Sequence, residues 1–267
     1  MTEDNIKRKT LSIRISTDGF CFCGYIPTSS ESLQYHTYDT DTTRSLAANF
    51  SSAVEEVPFI RKGEKYTVKA IVECGEYTCL PAEYDNKQDY RQYYRLCFPK
   101  SDSNTELVAN RLNAQGLSII FPVEKNLYAA IQELGEVTFY TPASIMAGFM
   151  YSHDTAEERC MLAYIQNGQA LFLSVKEKNI ELINSFKSGN GQDILFYLLS
   201  IWKEQGFSQI EDTLYLCGDR SIEELLLVTG KFIKNIKRLN PNKVFASNLL
   251  NKIEGIPFDL QALILCE

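Results

Sequence analysis

The cysteines and histidines are the side chains of this sequence best suited to bind a metal or to attack a substrate. There are eight cysteines and two histidines, His36 and His153. Cys74 and Cys79 have the spacing of half a zinc site, but no second cysteine or histidine pair follows at ligand spacing. We therefore predict no metal centre, and we expect most thiols to be buried as small apolar side chains.

Motifs of nucleophilic catalysis and of nucleotide binding are missing from the sequence. It has no G-x-S-x-G nucleophile elbow, no Walker loop and no G-x-G-x-x-G fingerprint. The polar segment 188–191, Ser-Gly-Asn-Gly, precedes a predicted helix, and a helix N-terminus can bind an anion. An ordinary flexible turn explains the same residues, and the sequence favours that interpretation.

The charge balance argues against nucleic-acid binding. The chain has a formal net charge of −7 and a pI of about 5.1, whereas binding to phosphates depends on lysine and arginine. One basic run stands out near the C-terminus, and we expect it to form the solvated face of a helix or its flank. The run comprises Lys231, Lys234, Lys237, Arg238 and Lys243.

The composition indicates a folded protein of a reducing compartment. With 45% hydrophobic residues over 267 positions, the chain can bury a large core. The first nine residues contain no apolar segment of the kind found in a secretory signal. No apolar stretch approaches the ~20 residues that span a bilayer. We therefore expect a cytoplasmic protein with free thiols that does not insert into a membrane.

Two similar runs of strands and a helix must position the candidate residues. The first run has predicted strands at 10–16, 20–26 and 32–38 and a helix at 42–57. The second run has predicted strands at 161–166, 169–176 and 180–186 and a helix at 192–205. Residues 10–57 and 160–205 thus repeat one order, and Asn167 with Gly168 is typical of a type I′ turn in the second copy. Consecutive hairpins require mixed sheets with helices packed on them.

Strands and helices alternate after each run. Further strands are predicted at 65–73, 77–80, 117–121, 136–140 and 213–217. Further helices are predicted at 81–96, 124–134 and 222–229, and another begins at Pro142. The first strand, 10–16, is expected to be half-buried because its apolar and polar residues alternate. Pro122 is expected to end the strand before it, and Ser221 with Glu224 to form a capping box.

The duplicated order of three strands and a helix resembles the actin-like ATPase fold of actin, sugar kinases and the ATPase domain of the seventy-kilodalton chaperones. Residues 141–149, Thr-Pro-Ala-Ser-Ile-Met-Ala-Gly-Phe, look like the helix that connects the two lobes of that fold. Residues 214–221, Leu-Tyr-Leu-Cys-Gly-Asp-Arg-Ser, are similar to the strand and turn that hold the adenosine. The chain most resembles nonstandard members: a bacterial family of unknown function, and actin-like cytoplasmic domains of pilus-assembly and type II secretion proteins.

The resemblance implies an α/β protein with a duplicated actin-like ATPase (ribonuclease H-like) fold, in two lobes that each have a mixed sheet and packed helices. The first lobe would span residues 1–150, with an inserted subdomain at about 64–112, and the second lobe residues 151–267. In that superfamily the two lobes hold a nucleotide. The first hairpin of each lobe carries a phosphate loop, and the adenosine turn completes the site.

The residues that the resemblance assigns to catalysis are replaced in this chain. ATPases of the superfamily place an aspartate in the first strand, two residues before a glycine, and another aspartate in the second lobe. Arg14 and Ser16 stand at the first two positions and Tyr164 at the third. Mg²⁺ prefers hard oxygen ligands such as carboxylates, and phosphoryl transfer depends on that cation. We therefore predict a noncatalytic binding or scaffold module with no catalytic residue.

The alternative is a degenerate nucleotide-binding protein that takes ATP or ADP and has weak or no ATPase activity. Asp18 is the one carboxylate eligible to substitute at the phosphates, although a turn residue beside Gly19 is its simpler interpretation. The contacts that this alternative implies are Asp18, Gly19, Gln166, Asn167, Gly168, Gly218, Asp219 and Arg220.

A cluster of aromatic and basic residues in the predicted insertion is the first candidate for a partner surface. Tyrosine and arginine are enriched at protein interfaces, although core packing explains part of the cluster equally well. The cluster comprises Tyr84, Tyr90, Arg91, Tyr93, Tyr94 and Arg95. We predict an unidentified protein partner there, and the sequence leaves a homo-oligomer open.

Overall fold

The structure is a computed structural model that describes residues 9–27, 29–101, 103–152, 157–219, 221–244, 250, 253 and 255–265. The chain divides into two compact units. Unit 1 comprises Met1–Pro142 and Asn248–Ile256, and unit 2 comprises Ala143–Ser247 and Pro257–Glu267. Within the described ranges, no helix is long and apolar enough to cross a bilayer.

The strands and helices are numbered along the chain. The strands are β1 (Thr10–Ile15), β2 (Gly19–Ile26), β3 (Ser29–Asp39), β4 (Tyr66–Val72), β5 (Thr78–Pro81), β6 (Thr105–Leu112), β7 (Leu117–Glu124), β8 (Gly135–Tyr140), β9 (Arg159–Gln166), β10 (Gln169–Lys176), β11 (Asn179–Lys187), β12 (Thr213–Gly218) and β13 (Asn235–Arg238). The helices are α1 (Leu46–Glu56), α2 (Tyr90–Cys97), α3 (Lys125–Gln132), α4 (Pro142–Ser152), α5 (Gly191–Glu204), α6 (Ile222–Thr229), α7 (Pro241–Val244) and α8 (Phe258–Leu265).

Unit 1 is built on a five-stranded mixed sheet with the order β3-β2-β1-β4-β8. β2 runs antiparallel to β1 and β3, and β4 runs parallel to β1 and β8. On one face Ile15 of β1 is in register with Phe20 of β2, and Phe20 packs there on Phe50 of α1, with ring centroids 5.8 Å apart. The expected half-burial of β1 is wrong, because β1 is the central strand and every residue in it is buried.

Unit 1 also contains a three-stranded sheet with the order β5-β7-β6, and α2 packs against it. No strand was predicted at β6, and Pro122 lies inside β7 instead of ending the strand. The proline is tolerated because β7 pairs with β5 only as far as Ile120. Beyond Ile120 the edge of β7 that faces β5 is no longer paired with it, so a proline there, which has no N–H, breaks no hydrogen bond between these two strands.

The helix predicted at 81–96 is wrong at its start. α2 begins at Tyr90, and two short 3₁₀ turns precede it. The Asn86 side chain accepts the N–H of Gln88 at 3.2 Å and closes one of these turns. A side chain that satisfies backbone donors locally in this way competes with helix formation.

Unit 2 repeats the five-stranded sheet, with the order β11-β10-β9-β12-β13. Its directions are also the same: β10 is antiparallel to β9 and β11, and β12 is parallel to β9 and β13. The predicted repeat and its mixed sheets are thereby confirmed. Met161, Phe172, Leu198 and Trp202 belong to the buried core of this unit.

The predicted capping box in unit 2 is wrong, and the predicted placement of the basic run on a helix or its flank holds only for part of the run, such as Lys231 next to α6. The Ser221 side chain does not cap α6; instead, an Asp219 carboxylate oxygen accepts the Ser221 N–H at 2.9 Å and makes the turn. Lys237 and Arg238 lie on a strand and not on a helix, because their backbone completes a parallel ladder beside β12.

Candidate functional site

The first predicted phosphate turn joins β1 to β2 in unit 1. The Ser16 N–H donates to the Gly19 carbonyl at 3.1 Å and closes the hairpin. Glycine is needed at position 19, because a Cβ there would lie 2.7 Å from the carbonyl oxygen of Tyr38 on β3. Asp18 is exposed at the tip, with the Thr17 hydroxyl 3.5 Å from its carboxylate. The turn therefore presents Asp18 to solvent.

Arg14 lies on β1 with its guanidinium buried. The side chain is 3% exposed and lies 3.4 Å from a carboxylate oxygen of Glu73, which is 11% exposed. Glu73 directly follows β4, the parallel neighbour of β1, and its N–H donates to the Ile15 carbonyl at 2.9 Å. The C-terminal ends of β1 and β4 are neighbours, and this places the Glu73 carboxylate beside the Arg14 guanidinium. Sequence analysis missed Glu73; an acidic residue at the end of a predicted strand is the signal that could have found it.

Neutral polar side chains share the face of the sheet on which Arg14 lies. Cys21 is in register with Arg14, and Cys23 is in register with Tyr35 on β3. Burial raises the pKa of the Cys23 thiol to about 12. Burial also raises the pKa of the Tyr35 hydroxyl, and Cys21 adds to that effect while the Arg14 charge opposes it. These groups stay protonated at neutral pH, so the thiol and the phenol add no negative charge beside Arg14.

Tyr164, at the second expected aspartate position, is buried in the sheet of unit 2. Its side chain is 2% exposed. It is in register with Leu171 of β10 and Cys217 of β12, and residues in register share a face. Burial raises the pKa of the Cys217 thiol, which therefore stays neutral. The phenol at this position is therefore buried beside a neutral thiol, and the buried Asp259 carboxylate lies close enough to Cys217 to add to the rise in its pKa.

The turns predicted to hold phosphate and adenosine meet within unit 2. Asn167 and Gly168 have φ values of 48° and 71°, as a type I′ turn requires. The Asn167 N–H donates to the Asp219 carboxylate, and the Asp219 N–H donates to the Ile165 carbonyl, both at 2.9 Å. Gly218 has a φ of 137°, and a Cβ there would lie 1.7 Å from that carbonyl oxygen. Only glycine allows this approach of the two strands.

The other residues predicted to contact a nucleotide do not all lie at these turns. The Gln166 side chain donates to the Asn167 side chain at 3.1 Å and so lies at the same turn. Arg220 is outside the described residues. Asp18 and Gly19 belong to unit 1. Five of the eight predicted nucleotide contacts are therefore neighbours in unit 2: Gln166, Asn167, Gly168, Gly218 and Asp219.

The polar segment 188–191 forms a third loop beside these turns. The Ser188 N–H donates to the Gly168 carbonyl at 2.8 Å. Asn190 caps α5, since its side-chain oxygen accepts the N–H groups of Gln192 and Asp193 at 2.9 and 3.0 Å. The segment is thus an ordered cap that is tied to the type I′ turn.

These three loops border a cavity of about 530 Å³ in unit 2. Its polar rim includes Gly168, Asn190, Asp219, Ser221 and Glu224. Its apolar floor consists of Ile165, Ile194, Leu195, Leu225 and Val228. A volume between about 300 and 1,000 Å³ is typical of small-molecule pockets. The cavity is the place where predicted site residues converge.

The predicted partner cluster is divided between core and surface. Tyr94 is completely buried, and its ring lies 4.8 Å from that of Phe98. Tyr90 is 9% exposed, and its hydroxyl donates to Asp85. A partner cannot reach these two rings, so including them in a partner surface is wrong. They pack instead in the core between α2 and the three-stranded sheet, a position that helical spacing alone does not distinguish.

The other members of the cluster are accessible to different degrees. Tyr84 is 54% exposed, Tyr93 is half-buried and Arg95 is exposed. Arg91 is engaged within the unit, because its guanidinium donates to the Thr105 carbonyl at 2.6 Å. Leu96, which sequence analysis missed, is 75% exposed on α2. The exposed part of this helix, here named the α2 surface, consists of Gln92, Tyr93, Arg95 and Leu96.

The cysteines considered as half a zinc site have different neighbours. The Cys74 thiol lies 3.4 Å from the Thr141 hydroxyl, and burial raises its pKa to about 12. Burial also raises the pKa of Cys79 to about 12, with a smaller effect from Cys97 nearby. Among the residues that the structure describes, no group of three or more histidine, cysteine, aspartate or glutamate side chains is arranged to hold a metal ion.

Comparison with known proteins identifies both a family and a fold. The sequence model of the family described as "Protein of unknown function (DUF3822)" matches residues 1–237. No curated protein matches the chain. A crystal structure from Bacteroides thetaiotaomicron, of a protein with an actin-like ATPase fold and unknown function, is 26% identical, covers 100% of both chains and has a TM-score of 0.82. The chain therefore has the actin-like ATPase fold, as predicted.

Two more distant structures are similar to this chain. The PilM–PilN type IV pilus biogenesis complex matches with 12% identity over 96% of this chain and 97% of the other, at a TM-score of 0.58. The cytoplasmic domain of EpsL from the type II secretion system of Vibrio cholerae matches with 8% identity over 96% and 94%, at a TM-score of 0.46. The predicted resemblance to a family of unknown function and to pilus-assembly and type II secretion proteins is confirmed.

Proposed function

The chain belongs to the family of unknown function DUF3822, and we propose that it is a noncatalytic binding module built on the actin-like ATPase fold. The buried pair of Arg14 and Glu73 carries this proposal. A guanidinium stands where the resemblance places the aspartate that organises Mg²⁺. The carboxylate beside it is paired with that guanidinium and is not available to a metal ion.

Electrostatics make this arrangement hostile to a bound metal. The Glu73 carboxylate is neutralised by Arg14 at 3.4 Å, so the pair offers a divalent cation no net attraction, and the guanidinium repels a cation that approaches from its side. The second expected aspartate is also missing, because Tyr164 is buried at that position. Without Mg²⁺ near the phosphates, phosphoryl transfer loses its main source of charge stabilisation.

The α2 surface is the binding site that we propose for a protein partner. Leu96 is 75% exposed and lies on α2 with the half-buried Tyr93 and the exposed Arg95, so the surface offers apolar, aromatic and cationic contacts together. Arg95 is exposed on α2, and the helix contains no acidic residue, so a partner segment with acidic and apolar side chains would complement it. The complex of PilM with PilN supports the idea that this fold can serve to bind a protein.

Thermal unfolding with ATP or ADP, with and without Mg²⁺, tests the noncatalytic part of the proposal. A ligand at a hundred times its Kd stabilises a protein by ~2.7 kcal/mol, which corresponds to a rise in Tm of roughly 5–10 °C for a chain of this size. We expect no Mg²⁺-dependent rise at millimolar nucleotide. A clear rise that requires Mg²⁺ would show that the metal site survives.

Site-specific crosslinking tests the binding part. Among the described cysteines Cys97 is the exposed one, and it follows Leu96 directly; Cys21, Cys74 and Cys79 are half-buried and are replaced by serine for this experiment, and Cys23, Cys160 and Cys217 are buried. A photoreactive maleimide on Cys97 should therefore crosslink the proposed partner in cell extract. The matched control is Leu96→Glu, which keeps the label and removes the apolar contact. Equal crosslinking by the two proteins, or none by either, would contradict the proposal.

A degenerate nucleotide-binding protein is the second candidate. It is supported by the cavity of unit 2, because Gly168 and Asp219 line the same space. It predicts a rise in Tm with ATP or ADP that does not need Mg²⁺. The rise should be lost in Leu195→Trp, which fills part of the cavity. If the wild type shows no rise in Tm with either nucleotide, this candidate fails and the first remains.

A further inference from the structure

The cavity of unit 2 has the apolar floor of a small-molecule site. Ile165, Ile194 and Leu225 are each at most 5% exposed, and Leu195 and Val228 are half-buried beside them. With a volume of about 530 Å³, the cavity can take a molecule much larger than water. The apolar part of a ligand would lose its contact with water there, which favours binding.

The backbone donors at the start of α5 are already used within the chain. The N–H groups of Gln192 and Asp193 donate to the Asn190 side chain. Asp193 also places a carboxylate in the first turn, where Oδ2 would lie 3.9 Å from a Cβ built on Gly189. A carboxylate in this position offsets the positive end of the helix dipole. The helix therefore has little capacity left to bind a phosphate.

Asp219 occupies the donors of the neighbouring loops in the same way. Its carboxylate accepts the N–H groups of Asn167 and Ser221, both at 2.9 Å, and the Ser221 hydroxyl as well. These are donors that a phosphate-binding turn would offer to its ligand. Here they are held by a fixed negative charge, so an incoming anion would be repelled.

Glu224 adds a second carboxylate to the rim. It lies exposed in the first turn of α6, whereas the neighbouring Glu223 is paired with Arg238. Among the described lining residues, the ionisable groups are Asp219 and Glu224, with no lysine, arginine or histidine. The cavity thus combines an apolar floor with a rim of negative charge and hydrogen-bond acceptors.

We propose that this cavity binds a small organic cation, a primary amine attached to an apolar body. The body displaces water from the floor, and the ammonium donates to the carboxylates of the rim. Glu224 is the carboxylate most open to it, because Asp219 is engaged with the loops. This site is independent of the α2 surface, which belongs to unit 1.

Glycine-selective ¹⁵N labelling of the full chain gives a direct readout of binding. Gly168, Gly189 and Gly191 line the cavity, while Gly116 lies in unit 1 and serves as an internal control. Three probes share an aromatic body and differ in charge: 2-phenylethylamine, 2-phenylethanol and 3-phenylpropionate. We expect the amine to shift the cavity signals with a Kd on the order of 1 mM, a value typical of a ligand this small. The alcohol should bind about tenfold more weakly, and the acid should cause no saturable shift.

Matched variants separate the charge of the rim from the shape of the cavity. Glu224→Gln should weaken binding of the amine about five- to tenfold and leave the alcohol unchanged, because a hydrogen bond to a charged group is the stronger one. Glu211→Gln makes the same change at an exposed carboxylate outside the cavity lining and should alter neither. Leu195→Trp should weaken the amine and the alcohol alike.

Three results would overturn the proposal. The first is a shift of the cavity signals by 3-phenylpropionate or inorganic phosphate at lower concentration than the amine requires. The second is the absence of any shift with the amine at about 20 mM, well above the expected Kd. The third is an equal loss of amine and alcohol binding in Glu224→Gln, which would make the residue structural. Failure of the α2 crosslink would leave these measurements unaffected.

Discussion

Replacing Arg14 with methionine should destabilise unit 1 by about 3 kcal/mol, because the substitution leaves the Glu73 carboxylate buried without its partner. The two charges are 3.4 Å apart, which at an effective dielectric constant of about 20 corresponds to roughly 5 kcal/mol of attraction. The side chains are only 3% and 11% exposed, so most of this attraction offsets lost hydration. Removing one charge removes the attraction and keeps the cost of burying the other.

The double variant Arg14→Met/Glu73→Leu should therefore be much more stable than the two single variants suggest. We expect it to lose at most about 1.5 kcal/mol, whereas the sum of the single losses is about 6 kcal/mol, because apolar side chains of similar volume remove the burial cost together with the attraction.

Urea unfolding at pH 7, followed by far-UV circular dichroism, measures these differences. Lys9→Met is the matched control, since Lys9 pairs with Glu64 at 2.9 Å in the same unit with both side chains about one third exposed. Lys9→Met should lower the free energy of unfolding by less than about 1 kcal/mol. Additive losses in the double variant, or equal losses for Arg14→Met and Lys9→Met, would refute the reasoning.

Three further outcomes are expected. Gly218→Ala should cost at least about 3 kcal/mol in thermal unfolding, because its Cβ would overlap the Ile165 carbonyl at a φ that favours glycine; a Tm near that of the wild type would contradict this. Glu157 is partly buried, but its hydrogen bond to Lys237 keeps the pKa of the carboxyl below the ordinary 4.5, so the extra stability of the wild type over Glu157→Gln should be present above pH 4.5 and disappear as the pH falls through the lower folded pKa. An equal difference at pH 7 and pH 2.5 would exclude that charge effect. Burial raises the pKa of the Cys74 thiol to about 12, so at pH 8 this thiol should react with a disulfide reagent only after the protein unfolds. Mass spectrometry of the labelled native protein measures this, and rapid labelling of Cys74 would contradict the prediction.

The local patterns of the chain were enough to predict the repeated order of strands. Alternation along β1, the Asn167–Gly168 turn and Pro142 at the start of α4 act through neighbouring residues, so each can be recognised without the rest of the molecule. The replacement of two expected aspartates by Arg14 and Tyr164 is likewise visible in the sequence, once the resemblance supplies the positions.

Other features depend on contacts between distant parts of the chain and were missed or mistaken. Pro122 fits within β7 because the pairing with β5 ends early, which concerns a strand forty residues away in the chain. Tyr90 and Tyr94 have the residue type of an interface, yet packing between α2 and the three-stranded sheet buries them. Local propensity carries no information on what will cover a side chain.

Residue identity and short-range periodicity are enough to recognise the duplication, and the family resemblance adds the class of fold and the positions of the replaced acidic residues. The pairing of Glu73 with Arg14 and the burial of β1 on both faces follow instead from the assembled sheet. Only the tertiary structure decided that loops far apart in sequence border one cavity whose donors are already bonded. Burial and charge pairing are properties of the assembled sheet, in which the ends of separate strands come together in space.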